Sequence, residues 1–274
     1  MKNQLLHVFR NTPFGRETLL QSIYMCQKMQ MHLKIYIPQY PQFLMYFSRE
    51  IVTIHLDSSF LKFPETAKRH AEELVQDAGL EASFLEPKGF TASTLPDIPT
   101  DFGFMTCPRT ISDISSKIGL GYIGAKVREI IKNSAFPVLI PPPVFKKWNS
   151  VLVFFGGSQN ALNAVKVGIN LSYLSGFPLR MFTYAQKKSR SYYEEIIEQA
   201  DLTNDLEKRL VEWIFITQGS FYENLYEVPH DALVVVGAYG HGLIKDLLFG
   251  SIMEKVQSFL PNAMAIVGPH YGEY

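Results

Sequence analysis

The sequence has little cysteine, and this argues against two classes of protein. Its 274 residues include only Cys26 and Cys107, which have no CxxC spacing and no histidine cluster beside them. A disulfide framework or a structural zinc site needs more. We therefore expect both cysteines to be reduced, buried thiols. The seven histidines show no HExxH or paired ligand spacing, so the sequence predicts no metal site.

An excess of charge of one sign is also missing. Lys and Arg number 26, Asp and Glu number 26, and the formal net charge is +0. Proteins that bind DNA or anionic membranes usually carry a basic excess or a basic stripe, and neither is present. We expect no nucleic acid among the partners of this protein.

Long hydrophobic runs are absent as well. No segment approaches the ~20 apolar residues of a membrane-spanning helix. Residues 1–10 lack the apolar stretch of a secretory signal. The sequence therefore predicts a cytoplasmic protein without a membrane partner.

Familiar catalytic motifs do not occur. The sequence has neither a G-x-S-x-G elbow nor a Walker G-x4-G-K-[ST] loop. The run Gly156-Gly157-Ser158 lacks the preceding Ser and the following Asp-Ser pair of α/β enzymes that adenylylate their substrates. No group is evident that would activate a water for hydrolysis. The sequence predicts no enzyme, and slow hydrolysis of a bound ligand is left open.

What is present is a globular composition arranged as two similar halves. Hydrophobic residues make up 47% and charged residues 19%, which is enough to build real cores. Residues 125–140 and 254–267 both read as a short amphipathic helix, a turn and an apolar strand. Pro141–Pro143 between the halves is typical of a stiff linker. We predict two domains, 1–142 and 148–274.

The second half alternates strands with helices, which is typical of a doubly wound parallel sheet with right-handed crossovers. Strands are predicted at 151–155, 179–184, 211–217, 233–236 and 263–267. Helices are predicted at 161–173, 191–210, 220–228 and 250–260.

The first half shows the same alternation of strands and helices, with a weaker pattern. The corresponding segments are 5–9, 16–30, 33–37, 65–77, 81–85 and 103–106. An insertion at 43–63 carries an apolar run at 51–56 that indicates an extra strand. Residues 89–99 are predicted to be a loop.

One segment of the second half indicates a binding site. The buried strand ends at Gly237, followed by the spacing Gly237-x2-Gly240-x9-Gly250-Ser251. Glycines at the carboxyl end of a strand let phosphate oxygens approach the backbone. Ser251 suits the start of a helix, whose free N–H groups and dipole favour an anion. The spacing therefore favours a phosphate cradle.

This spacing resembles the ATP-binding signature of the universal stress protein family. The likeness extends over residues 150–267 and more faintly over 1–140. It implies the tandem, two-domain form, with two Rossmann-like (adenine nucleotide alpha hydrolase-like) domains, each a mainly parallel five-stranded sheet. It also implies ATP or a related adenine nucleotide as ligand, with or without Mg²⁺. The implied contacts are Gly237, Gly240, His241, Gly242, Gly250, Ser251, Ile252, Gly156 and Ser158.

The C-terminal half departs from the family pattern at one position. Where the family usually has an Asp after the first strand, this sequence has Gly156. Losing one hydrogen bond to a charged group costs about 1.5–3 kcal/mol, or roughly 10- to 150-fold in affinity. The affinity for adenine is therefore expected to be reduced.

The N-terminal half departs further. Cys107 and Thr110 stand where the first two glycines would be, Tyr122 stands opposite Ser251, and only Gly121 survives. We interpret this half as a degenerate, structural domain. Arg10, after its first strand, is expected to be solvated or salt-bridged rather than to bind phosphate.

Two hypotheses remain at this point. In the first, the C-terminal domain binds the nucleotide and the chain is a stress-response or signalling module with an unidentified protein partner. In the second, the chain is a nucleotide-independent interaction protein that has kept the loop for its turn geometry. In both, the halves form an intramolecular pseudo-dimer, and further homodimerisation is open.

Overall fold

The structure is a computed structural model that describes residues 2–87, 95–111, 123–185, 188–239 and 260–273. The chain divides into two compact units, the N-terminal one formed mainly by residues up to Phe145 and the C-terminal one by residues 146–271. Within the described ranges, every helix is too short or too polar to serve as a membrane span.

The N-terminal unit is built on a five-stranded sheet in which every pairing is parallel, in the order β8-β7-β1-β2-β5. Its elements are β1 Gln4–Val8, α1 Pro13–Met29, β2 His32–Tyr36, β3 Gln42–Tyr46, β4 Ile51–His55, α2 Pro64–Asp77, β5 Ala82–Phe84, β6 Asp97–Ile98, β7 Phe104–Thr106, α3 Ala125–Asn133 and β8 Val138–Ile140.

The insertion in this unit forms a second, three-stranded sheet. β3 pairs antiparallel with β4 and parallel with the two-residue strand β6. The extra strand predicted at 51–56 is confirmed as β4. The loop prediction for 89–99 is wrong at its end, because Leu44 N donates to Pro96 O and holds β6 beside β3.

The C-terminal unit carries the sheet β11-β10-β9-β12-β13, again with every pairing parallel. The predicted fold class is therefore confirmed. Its described elements are β9 Ser150–Phe154, α4 Gln159–Ser175, β10 Leu179–Tyr184, α5 Arg190–Gln199, α6 Thr203–Arg209, β11 Leu210–Ile216, α7 Phe221–Asn224, β12 Ala232–Gly237 and β13 Met264–Val267.

The single helix predicted over residues 191–210 is wrong. Two helices, α5 and α6, occupy this segment, and the break between them lies at Asp201 with φ 56°. Asp tolerates the left-handed region better than most residues. Leu202 N then donates to Ile197 O, which closes the end of α5.

The core follows from the apolar strands. Every residue of β9 and of β12 is buried, as expected for central strands covered on both faces. Met25, Met29 and Met31 are buried in the core of the N-terminal unit. Both cysteines are free and buried, and burial raises the pKa of the Cys26 thiol to about 12.

A buried polar cluster links three elements of the N-terminal unit. His7 of β1 has Nδ1 2.8 Å from Ser22 Oγ of α1, which in turn donates to Thr106 Oγ1 of β7 at 2.8 Å. All three side chains are almost fully buried. Loss of solvation lowers the pKa of His7 from 6.5 to about 3. His7 is therefore neutral in the folded protein at neutral pH.

This gives a prediction for stability against pH. The unfolded chain protonates His7 below about pH 6.5 and the folded chain does so only near pH 3. Stability that is present above pH 6.5 is thus lost as the pH falls toward 3. The contribution of His7 falls by about 2 kcal/mol between pH 7 and pH 5.

Hydrogen exchange of the β1 amides at both pH values measures this loss. His7→Gln should show a loss smaller by about 2 kcal/mol than the wild type. His55→Gln, which removes an exposed imidazole, is the matched control and should behave as the wild type. Equal losses in all three proteins would contradict the assignment to His7.

Candidate functional site

Two predicted site residues meet at the carboxyl edge of the sheet in the C-terminal unit. β9 and β12 are neighbours, with Phe154 in register with Val236. Gly237 ends β12, and Gly156 follows β9 by two residues and is exposed. In open parallel sheets, ligands bind at this edge. The fold therefore places both residues where the spacing predicts a ligand.

Gly237 also has a packing role that the sequence did not reveal. A Cβ at this position would lie 2.2 Å from the carbonyl oxygen of Asn160 and 2.8 Å from the amide nitrogen of Ala161. Both atoms belong to the main chain in the first turn of α4. The glycine therefore allows helix and strand to approach closely, whether or not a ligand is bound.

Asn160 ties the same helix to the strand end. Its side-chain amide Nδ2 donates to the carbonyl oxygen of Ala238, directly after β12. Ala238 N donates to Val267 O of β13 at 2.8 Å. The sequence analysis did not single out Asn160, which lies two residues after the helix cap Ser158. It holds the strand end and the helix start in a fixed arrangement.

Ser158 begins α4. Its Oγ accepts a hydrogen bond from Ala161 N at 3.2 Å, which makes it the N-cap. Gly157 before it has φ 77°, a conformation that glycine adopts without strain. The N–H groups of Gln159 and Asn160 lie in the first helical turn, where no preceding carbonyl can accept from them. This helix start provides an electropositive end at the edge of the sheet.

The loop after β12 starts with a strained residue. Tyr239 has φ 59°, the left-handed region that a bulky side chain rarely adopts. It lies between Gly237 and Gly240, and its conformation is not evident from the sequence. Strained backbone of this kind concentrates at ligand-binding sites. The observation agrees with a ligand site at this edge.

The structure describes only part of the predicted set. Gly156, Ser158 and Gly237 are in the described ranges, and the fold brings them to one edge. The predicted residues outside the described ranges are Gly240, His241, Gly242, Gly250, Ser251 and Ile252. In the described ranges, His, Cys, Asp and Glu form no group able to hold a metal ion.

In the N-terminal unit, side chains occupy the corresponding edge. Arg10 Nη2 lies 3.3 Å from Asp57 Oδ2, and its guanidinium carbon lies 5.3 Å from the centre of the Phe60 ring. The expected salt-bridged state of Arg10 is thus observed. Cys107, which follows β7, is fully buried.

Arg109 is a further residue at this edge that the sequence did not single out. Its Nε and Nη1 are buried without a hydrogen-bond partner in the described part of the chain. Burial lowers the pKa of Arg109 to about 10, so the guanidinium stays charged at neutral pH. Its carbonyl oxygen accepts from Gly124 N at the start of α3. The N-terminal unit therefore differs chemically from the glycine-rich edge of the C-terminal unit.

Comparison of the sequence with known proteins gives one informative relative. No protein-family model matches the chain. A universal stress protein from Synechocystis is 24% identical over 197 residues, which is 68% of this chain. The match spans 65% of the length of that relative.

Solved structures with the same fold extend over nearly the whole chain. A universal stress protein from Archaeoglobus fulgidus gives a TM-score of 0.64 at 14% identity, over 98% of this chain and 99% of its own. A putative universal stress protein from Pseudomonas aeruginosa gives 0.54 at 11% identity, over 98% and 94%. The cytoplasmic domain of a prokaryotic cation chloride cotransporter gives 0.52 at 10% identity, over 97% and 95%.

The structures show a Rossmann-like α/β fold, since identities this low carry information on the fold alone. The sequence match and the fold together confirm the resemblance to the universal stress protein family. The fold also occurs in a transporter domain, so it does not by itself define an activity.

Proposed function

We propose that this chain is a universal-stress-type module whose C-terminal unit binds ATP or a related adenine nucleotide. The observation that carries the proposal is the position of Gly237. It ends the central strand β12, beside the end of β9 and the start of α4, and it opens the G-x2-G-x9-G-S spacing. A nucleotide at this edge would lie where parallel sheets usually bind ligands.

The chemistry of the site suits phosphates better than the base. Backbone N–H groups at Gly240 and at the start of the helix predicted from Gly250 would hold the phosphates, with or without Mg²⁺. On the base side, Gly156 offers no carboxylate. We therefore propose a binding module of reduced affinity rather than an enzyme, with ATP turnover slow at most.

The N-terminal unit would serve as a structural partner without a nucleotide site. Arg10 is engaged by Asp57, and the buried Cys107 takes the place of the first glycine. Occupancy of the C-terminal unit would then tune an interaction with a protein partner in a cytoplasmic stress or signalling response. Homodimerisation of the chain remains compatible with this role.

A second candidate is a nucleotide-independent scaffold of the same fold. It is favoured by one observation, the close approach of Asn160 to Gly237. This contact explains the first glycine of the spacing without a ligand. The two candidates differ in whether Gly250 and Ser251 contact a nucleotide.

Calorimetric titration with Mg-ATP separates them. The wild type should bind about one nucleotide per chain. Gly250→Asp should lower the affinity at least tenfold, because a carboxylate at the helix start repels the phosphates. Gly121→Asp introduces the same change at the first-half counterpart and should leave binding unchanged.

Two other outcomes of the titration would contradict the proposal. If the wild type does not bind Mg-ATP while circular dichroism shows that it is folded, the nucleotide site is excluded and the scaffold candidate is favoured. Equal losses in both variants would contradict a site confined to the C-terminal unit.

A further inference from the structure

The N-terminal unit contains a cavity of about 390 Å³ at the edge of its own sheet. It opens where the parallel strands β2 and β5 end, and Leu85 N donates to Ile35 O at 2.7 Å to close this end of the sheet. Its volume lies in the lower part of the range for small-molecule sites. The cavity lies outside the carboxyl ends of two parallel strands, one position away from β1, where the strand order reverses.

The walls of the cavity are aromatic and apolar. Tyr36 is buried and its ring is held against Phe43, with ring centres 5.5 Å apart in an edge-to-face arrangement. Phe84 lines the cavity on the other strand, and Pro87 and Pro96 complete the apolar part. Rings held in this way are suited to stack or pack against a planar ligand.

Of the described polar side chains that line the cavity, all but Glu86 can donate a hydrogen bond. The Lys68 ammonium lies 5.1 Å from the centre of the Phe84 ring. Burial, and then the nearby Tyr40 phenol, raise the pKa of Tyr36 to about 12. The Tyr36 phenol is therefore protonated at neutral pH and can donate. Among the described lining residues, the exposed Glu86 is the one carboxylate.

We propose that this cavity binds a small planar aromatic monoanion. Its ring would pack against Tyr36 and Phe84, and its negative group would lie between the Lys68 ammonium and the tyrosine phenols. A polyphosphate fits less well, because among the described lining residues Lys68 supplies one positive charge and Glu86 opposes it. This site is separate from the nucleotide site proposed above and does not depend on it.

Calorimetry and saturation-transfer NMR with 2-naphthoate test the proposal. The wild type should show saturable binding at one site per chain. Lys68→Met keeps the alkyl stem and should weaken binding about fivefold. Tyr36→Phe keeps the ring and should weaken it about tenfold. Glu86→Gln removes the opposing charge and should tighten it about twofold.

Two controls make the outcome decisive. Lys62→Met removes an exposed lysine outside the cavity and should bind as the wild type. Uncharged 2-naphthamide should bind more weakly and should not respond to Lys68→Met. The proposal is overturned if 2-naphthoate does not bind, if Lys68→Met and Tyr36→Phe bind it as tightly as the wild type, or if the amide binds equally well.

Discussion

A Gly237→Ala variant is expected to lose about 3 kcal/mol of unfolding free energy in the C-terminal unit. The added Cβ would lie 2.2 Å from Asn160 O and 2.4 Å from Asn160 C. These are main-chain atoms in the first turn of α4, so no side-chain rotation relieves the overlap. Overpacking of a core costs about 1–3 kcal/mol, and a clash between fixed backbones belongs at the upper end.

Tryptophan fluorescence during urea unfolding measures this loss selectively. Both tryptophans, Trp148 and Trp213, lie in the C-terminal unit. Gly176→Ala is the matched control, because its Cβ would meet nothing within 4 Å and only its φ of 73° is unfavourable. It should cost about 1 kcal/mol. Equal losses in the two variants would refute the close approach of α4 to β12.

A Gly156→Asp variant is expected to bind ATP roughly 10- to 150-fold more tightly than the wild type. A carboxylate would then stand after β9, where the universal stress protein pattern places its adenine contact. One hydrogen bond to a charged group is worth about 1.5–3 kcal/mol. Gly156 is exposed and its φ is not in the left-handed region, so an aspartate suits its backbone.

Gly156→Ala separates the carboxylate from the loss of glycine. Calorimetric titration of both variants with Mg-ATP should show a gain for aspartate alone. If the aspartate and alanine variants bind equally, the base does not lie at the end of β9. The proposed orientation of the nucleotide would then be wrong.

The sequence predicts the order of strands and helices well, because buried parallel strands leave continuous apolar runs. Val151 to Phe155 and Leu233 to Val236 are such runs, and both are central strands in the structure. The sequence does not predict elements whose bounds depend on the conformation of one residue or on pairing with a distant strand. The break at Asp201 depends on a single φ, and β6 has two residues whose strand character comes from pairing with β3.

The candidate site is likewise predicted by the sequence only in part. The spacing of glycines locates the edge of the sheet, since a strand end is visible in the sequence. The contact between Gly237 and Asn160 is not visible, because it depends on how closely α4 packs on β12. The conformation of Tyr239 is likewise set by the fold. A glycine motif can therefore combine a packing requirement with ligand binding.

Because Gly237 has a packing role as well as a proposed role in binding, its variants are ambiguous. A Gly237 variant that fails to bind ATP could have lost either the packing of α4 on β12 or the contact with the nucleotide. In the proposed function, Gly250 and Ser251 contact the nucleotide, so their variants test the site more directly. Gly156→Asp tests it by a gain of affinity. An increase in affinity is not a consequence of misfolding.

Photo-crosslinking with 8-azido-ATP, followed by mass mapping of the labelled peptides, tests whether the C-terminal unit holds the nucleotide. We expect a label within residues 148–274 that excess ATP suppresses, and no suppressible label in residues 1–142. A suppressible label confined to the N-terminal half, or no suppressible label at all, would contradict a nucleotide site in the C-terminal unit.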